Sequence, residues 1–128
     1  MEPVHTKFQS IEQFRKIVTS INKKYRHEKL KPVLRFQGTV KLHGTHGDIV
    51  RKDDMTWCQS RNKVVTPGKQ SDNYGFAAFM GERGLEVLFK QIKAPQGSTV
   101  MIAGEFCGGD IQDNVALSKL PKMFVIFG

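Results

Sequence analysis

The stretch Asp48-Ile-Val-Arg-Lys-Asp-Asp-Met-Thr-Trp-Cys-Gln-Ser60 predicts a β-hairpin. Residues 48–51 and 56–60 have the composition of short strands, and the Asp53-Asp54 pair between them is typical of a tight turn. Just before this stretch, apolar and polar residues alternate over residues 34–42, which is the period of a strand. Three strands in succession, joined by short turns, predict an antiparallel meander.

A helix is predicted ahead of the meander. Ser10-Ile-Glu-Gln13 has the form of a capping box, and apolar residues then recur at helical spacing as far as Tyr25. The helix is therefore expected over residues 10–25. Its other face carries several basic residues, for which a solvated helix surface is an ordinary interpretation.

The second half of the chain predicts a loop over residues 62–73, helical structure over 76–92 with a break near its glycines, strands at 99–106 and 123–127, and a loop at 108–119. The last strand is expected to be buried on both faces because all of its residues are apolar. The fold class is therefore expected to be α+β, with a twisted, mainly antiparallel sheet and flanking helices.

Composition restricts the classes of function. The 128 residues suffice for one domain, and the formal net charge of +8 favours polyanionic partners such as nucleic acid or nucleotide phosphates. The sequence shows no membrane span and no signal peptide, and two cysteines do not make a disulfide framework. We therefore expect a cytoplasmic monomer with no membrane partner.

The candidate catalytic residue lies in the segment Thr39-Val-Lys-Leu-His-Gly-Thr-His-Gly47. This segment puts Lys41 at the end of a predicted strand and Gly44 three residues later, where the backbone of a turn can approach a ligand. It lacks the residue order of a Walker phosphate loop. A nucleophilic lysine needs a lowered pKa, which burial or nearby positive charge provides. An exposed strand lysine has the same spacing, so the pattern by itself leaves both interpretations open.

Four motifs in order indicate a family. Lys41-Leu-His-Gly44 resembles the Lys-x-His-Gly or Lys-x-Asp-Gly nucleophile motif of covalent nucleotidyltransferases, which include DNA ligases, RNA ligases and mRNA capping enzymes. Its histidine is similar to that of phage nick-sealing and trypanosome RNA-editing ligases. The later matches are Gln59-Ser-Arg-Asn62, Ala103-Gly-Glu-Phe106 with Gly108-Gly109, and Lys122-Met-Phe-Val-Ile-Phe127. Together they span about two thirds of the chain.

This resemblance implies an ATP-dependent RNA ligase that joins RNA 5′-phosphate and 3′-hydroxyl ends through lysyl-AMP, with ATP and Mg²⁺ as cofactors. The substrate would be a nicked duplex or a broken tRNA-like RNA, and the compartment would be the cytoplasm, including that of a phage- or virus-infected host. Residues 1–128 would form the N-terminal portion of an adenylyltransferase domain with an ATP-grasp-like ligase fold. The later lysine motifs and any C-terminal domain would be absent.

The resemblance also assigns roles to residues. Lys41 would be the catalytic nucleophile, and the nucleotide-binding residues would be Thr39, Val40, Gly44, Arg61, Glu105 and Phe127. Arg61 would hold phosphate oxygens through its planar guanidinium. Glu105 would contact the ribose hydroxyl, or a metal through its hydration shell, on a mainly apolar surface. Phe127 would stack on adenine, with Phe124 the second choice because it projects to the opposite face. No dedicated metal-binding cage is expected.

The chain departs from the family pattern at His46, where asparagine is usual, and at Val40, where glutamate is expected.

Three other functions are considered. A basic, non-catalytic RNA-binding module would explain the charge, although an RNP-like aromatic signature is absent. A DNA ligase or a capping enzyme is disfavoured by His43. A zinc site built on the histidines and cysteines lacks a recognisable spacing.

Overall fold

The computed structural model describes residues 2–68 and 70–128. The chain divides into two compact units. The sheet unit comprises residues 2–8 and 42–128, and the helical unit is Gln9–Lys41. The class is α+β, as predicted, with a five-stranded antiparallel sheet and a few short helices. No helix within the two described ranges is both long enough and apolar enough to cross a membrane.

The sheet has the strand order β3-β2-β1-β4-β5. The strands are β1 Gly44–Lys52, β2 Met55–Ser60, β3 Val64–Val65, β4 Thr99–Cys107 and β5 Met123–Ile126. β1 lies at the centre and pairs along its whole length with β4 and over most of it with β2. The β1–β2 hairpin turns at Asp53, whose φ of 53° lies in the left-handed region that aspartate tolerates. The predicted hairpin is therefore confirmed.

One face of the sheet packs against two short helices, α2 Phe76–Gly81 and α3 Glu86–Lys90. Strand alternation sends Ile49, Ile102 and Phe106 to this side, where they meet side chains of both helices. The rings of Phe76 and Phe106 lie 5.4 Å apart. Burying an aliphatic or aromatic side chain of this size contributes about 1.5–3 kcal/mol, so this layer is the core of the sheet unit.

The helical unit contains α1, Phe14–Lys24. Its N-cap is Gln13, which makes no side-chain capping hydrogen bond, so the predicted capping box at Ser10 is wrong and the helix begins four residues later. No residue of α1 is buried. Residues 31–41 form neither helix nor strand, so the strand predicted over residues 34–42 is also wrong. An alternating pattern makes a strand only where a neighbouring strand pairs with it.

The remaining predictions agree with the structure in part. The predicted loop over residues 62–73 contains β3, and Lys69 within it lies outside the described residues. The break in the helical region falls between α2 and α3, where Gly84 has a φ of 68°. β5 is an edge strand whose last residue, Ile126, is 50% exposed, so the prediction of burial on both faces is wrong.

Candidate functional site

The face of the sheet opposite α2 and α3 carries a cluster of polar side chains. Register places His46 opposite Glu105 and Asp48 opposite Gln59, and paired residues in antiparallel strands project to the same side. We call this cluster and the surface around it the polar face, which is defined by His46, Asp48, Gln59, Glu105 and Phe127. On its own strand Glu105 shares this face with Met101 and Ala103, and the neighbouring strand β1 adds polar side chains beside it.

Glu105 is held at the start of β1. Its Oε1 accepts a hydrogen bond from the backbone N–H of Gly44 at 2.9 Å, across a sequence separation of 61 residues. Gly44 pairs with Cys107 in the β1–β4 ladder, and this register brings its N–H to the glutamate. The carbonyl of Gly44 accepts a hydrogen bond from Gln112 Nε2 at 3.2 Å. Glu105 is half-buried and keeps a second carboxylate oxygen that can receive a hydroxyl group or a hydrated cation.

A buried polar network lies beside Glu105. The Asp48 carboxylate is fully buried, with Oδ1 2.7 Å from His46 Nε2 and Oδ2 accepting a hydrogen bond from Gln59 Nε2 at 2.9 Å. Burial raises the pKa of Asp48, against the lowering effects of the Gln59 hydrogen bond and the nearby His46. The network therefore places the His46 ring beside a buried carboxylate on the polar face.

The same network fixes the N-terminal segment. Gln59 is fully buried, and its side-chain amide makes both hydrogen bonds that the backbone of Thr6 offers. Its Oε1 accepts from Thr6 N at 3.0 Å, and its Nε2 donates to Thr6 O at 2.6 Å. His5 Nε2 also lies 3.3 Å from the carbonyl oxygen of Ser60. Residues 5–6 are therefore attached to β2 by side-chain contacts.

Three rings cluster on the polar face. Phe127 lies 5.7 Å from Phe8 and 5.9 Å from His46, and Phe8 lies 5.4 Å from His46, measured between ring centroids. Phe127 is 52% exposed. Phe124 projects to the opposite face and packs on Phe76 in the core, 5.1 Å away. Phe127 is thus the aromatic residue of this segment that shares a face with Glu105.

Arg61 is exposed in the turn between β2 and β3. The turn follows Ser60, which pairs with Gly47, so Arg61 lies at the end of the sheet where β1 begins. Ser60 N donates a hydrogen bond to the Lys63 carbonyl at 2.8 Å and closes this turn. The structure therefore brings Gly44, Glu105 and Arg61 to the same end of one sheet.

Thr39, Val40 and Lys41 belong to the helical unit and are exposed there. They lie in a segment without regular secondary structure. The prediction that Lys41 occupies the end of a strand is therefore wrong. In the sequence it precedes β1, which begins at Gly44, by three residues.

Neither cysteine has the character of a nucleophile or a metal ligand. Burial raises the pKa of Cys58 to about 12 and also raises that of Cys107, so both thiols are protonated at neutral pH. Cys58 lies in the core, on the face opposite His46. Among residues 2–68 and 70–128, no group of three or more His, Cys, Asp or Glu side chains is arranged to hold a metal ion.

Sequence reasoning assigned no role to four residues of this site, which are Thr6, Phe8, Asp48 and Gln59, although Gln59 begins the second motif. One local signal was available, because the i, i+2 spacing of His46 and Asp48 puts both side chains on one face of a strand. The contributions of Thr6 and Phe8 depend on contacts with residues far away in the sequence, and no local pattern indicates them.

No model of a known protein family matches the chain, and a search of curated proteins also finds no match. The basis for inferring a function is therefore the residues themselves, their order along the chain and the geometry of the polar face.

Proposed function

We propose that this chain is an ATP-dependent RNA ligase of the lysyl-AMP type, with a nucleotidyltransferase fold. The observation that carries the proposal is the hydrogen bond from Gly44 N to Glu105 Oε1. It joins the glycine of the nucleophile motif to the glutamate of the third motif, two segments 61 residues apart in the sequence. Phe127, from the fourth motif, lies on the same face of the sheet.

The chemistry assigned to this chain begins at Lys41. Its unprotonated Nζ attacks the α-phosphorus of ATP, an N–P bond forms, and the bond from that phosphorus to the pyrophosphate oxygen breaks. The proton lost by the amine passes to solvent, and pyrophosphate leaves. A covalent lysyl-AMP divides one difficult displacement into two easier ones. An oxygen of the RNA 5′-phosphate then attacks the phosphorus of lysyl-AMP, the N–P bond breaks, and the amine of Lys41 takes up a proton. A 3′-hydroxyl attacks the 5′-phosphorus of the adenylated RNA, the P–O–P bond breaks, AMP leaves, and the hydroxyl proton passes to solvent.

Residues of the sheet unit support nucleotide binding in this proposal. The free oxygen of Glu105 accepts a hydrogen bond from a ribose hydroxyl, and the half-exposed ring of Phe127 stacks on adenine. Arg61, exposed at the same end of the sheet as Gly44, pairs with phosphate oxygens. Mg²⁺ fits this donor set because it keeps most of its water and binds chiefly through substrate phosphates, with Glu105 as the nearby carboxylate. It would neutralise charge on the phosphates.

One observation favours a second candidate, a basic RNA-binding module without catalysis. Lys41 is exposed in a segment without regular structure, whereas a nucleophilic lysine usually needs burial or nearby cations to lose its proton. The net charge of +8 suits RNA binding in either case. The two candidates differ in one product, the covalent adenylate.

The test is covalent labelling. The protein is incubated with Mg²⁺ and ATP labelled at the α-phosphate, then denatured and separated by electrophoresis. Wild type should retain label and Lys41→Ala should retain none, whereas Lys63→Ala, which removes another exposed lysine, should label normally. Glu105→Gln keeps an acceptor for Gly44 N and should reduce labelling at least about tenfold, since charged hydrogen bonds are worth about 1.5–3 kcal/mol.

Unlabelled wild type that nonetheless binds RNA would favour the module. Label on Lys41→Ala equal to that on wild type would remove the assigned nucleophile and with it the ligase proposal.

A further inference from the structure

The positive charge of this protein is concentrated in one unit. The helical unit, Gln9–Lys41, has nine Lys and Arg against two Asp and Glu, a net charge of +7. The sheet unit has eleven Lys and Arg against ten Asp and Glu, which leaves +1. A quarter of the chain therefore carries nearly all of the net charge. Such an asymmetry raises the local concentration of a polyanion around that unit.

These cations are free to meet a ligand. Every Lys and Arg side chain of the helical unit is exposed. One ion pair forms inside the unit, between Lys16 and Glu12 at 2.6 Å, and both partners are exposed. Lys31 Nζ donates a hydrogen bond to Asn22 Oδ1 at 3.3 Å, which leaves its charge uncompensated. Most of the positive charge is therefore not neutralised within the unit.

Two exposed rings lie among the cations. Phe14 and Phe36 pack edge to face, with centroids 5.0 Å apart, yet are 60% and 58% exposed. Their neighbours in the sequence are Arg15 and Arg35. Cations that track a backbone and aromatic faces that stack on bases are the combination that binds single-stranded nucleic acid. A duplex hides its bases, so exposed rings add little to duplex binding.

We propose that the helical unit is a binding surface for single-stranded RNA. Its cations would pair with the phosphates, and Phe14 and Phe36 would stack on the bases. The choice of RNA over DNA rests on the ligase proposal. A membrane-surface helix is the competing explanation of a basic amphipathic segment. Five of the nine cations follow α1, in a region without helix, so the charge is not arranged opposite one apolar helix face. A flexible polyanion can follow such a segment, whereas a flat bilayer cannot.

Two matched triple variants of the full chain test the location of the surface. Lys23→Glu, Lys24→Glu and Lys29→Glu change the helical unit, and Lys90→Glu, Lys93→Glu and Lys119→Glu make the same change of charge on exposed lysines of the sheet unit. The probe is a short fluorescent single-stranded RNA, titrated without ATP at several salt concentrations. The first variant should bind at least about tenfold more weakly, and its slope of log affinity against log salt should fall by about 2. The second should change affinity less than about threefold.

A third variant, Phe14→Ala with Phe36→Ala, tests stacking. It should weaken binding of the single strand about fivefold or more and leave binding of a duplex of equal length unchanged. Neither ring is buried, and circular dichroism checks that the fold is retained.

The proposal is overturned if both triple variants lose affinity equally, if the double phenylalanine variant binds single strands as wild type does, or if the chain binds anionic phosphatidylserine vesicles but no RNA. The ligase proposal fails separately. If the helical unit binds RNA but no lysyl-AMP forms, the ligase proposal is wrong and the proposed RNA-binding surface stands. If the protein is labelled normally and the first triple variant binds RNA as wild type does, the surface is wrong and the ligase proposal stands.

Discussion

Asp48 is fully buried at the centre of the sheet, where its carboxylate contacts one imidazole and one amide. Burial raises its pKa above the ordinary value of 3.8. The folded chain therefore holds this proton more tightly than the unfolded chain does. It follows that the contribution of Asp48 to the free energy of unfolding is full below pH 3.8 and declines as pH rises through the raised pKa.

Asp48→Asn should remove this decline. Asparagine keeps an oxygen for the Gln59 amide and has no charge to desolvate, so the variant should stay within about 1 kcal/mol of wild type at neutral pH. Its free energy of unfolding should also change less between pH 4 and 7, roughly the window above the ordinary carboxyl pKa. Urea titrations at a series of pH values measure both effects.

Asp48→Ala is the control. It leaves one N–H of the buried Gln59 amide without an acceptor, while the other still donates to Thr6 O, and should destabilise the fold by about 1–3 kcal/mol at all pH values. Parallel stability curves for wild type and Asp48→Asn would show that Asp48 does not titrate differently on folding.

The close approach of β5 to β4 depends on the absence of a side chain at Gly104. A Cβ on Gly104 would overlap the Phe124 ring and lie 2.6 Å from the Val125 carbonyl oxygen. Gly104→Ala should therefore force Phe124 out of its place against Phe76 and destabilise the fold by about 1–3 kcal/mol. The midpoint of urea denaturation measures this change.

Gly81→Ala is the matched substitution. Gly81 ends α2, and a Cβ there meets no atom within 4 Å, so alanine should be neutral or stabilise by up to about 1 kcal/mol. Equal stability of the two alanine variants would mean that β5 is not packed as closely as the structure describes.

The strands and helices show which features of the fold are determined by the local sequence. The β1–β2 hairpin was predictable because Asp53 supplies its own turn conformation, and β4 because its composition is that of a buried strand. The strand predicted over residues 34–42 failed because alternation describes a face and does not supply a partner strand. The same limit applies to the site. Strand alternation correctly predicted that Phe127 and Phe124 project to opposite faces. The hydrogen bonds between Gln59 and Thr6 join residues 53 positions apart, so no local pattern predicts them.

The two units differ in how their secondary structure is supported. β1 and β4 bury Ile49 and Ile102 in a shared core, and α2 buries three of its six residues. α1 has eleven residues and none is buried. An isolated helix of this length is marginal in water, because the cost of nucleation is not recovered without packing. The charge of the helical unit was evident from sequence, whereas the lack of burial was not.

Amide hydrogen exchange should therefore separate the two units. Amides of Ile49, Val50 and Ile102 should exchange through global unfolding, while those of α1 open locally and should exchange faster by a factor of about 100 or more. The short helix α2 is an internal control, because its buried residues should make it slower to exchange than α1 despite its smaller length. Protection in α1 equal to that in β1 would require a packing partner for the helix, and α1 would then be a stable element under native conditions rather than a marginal one.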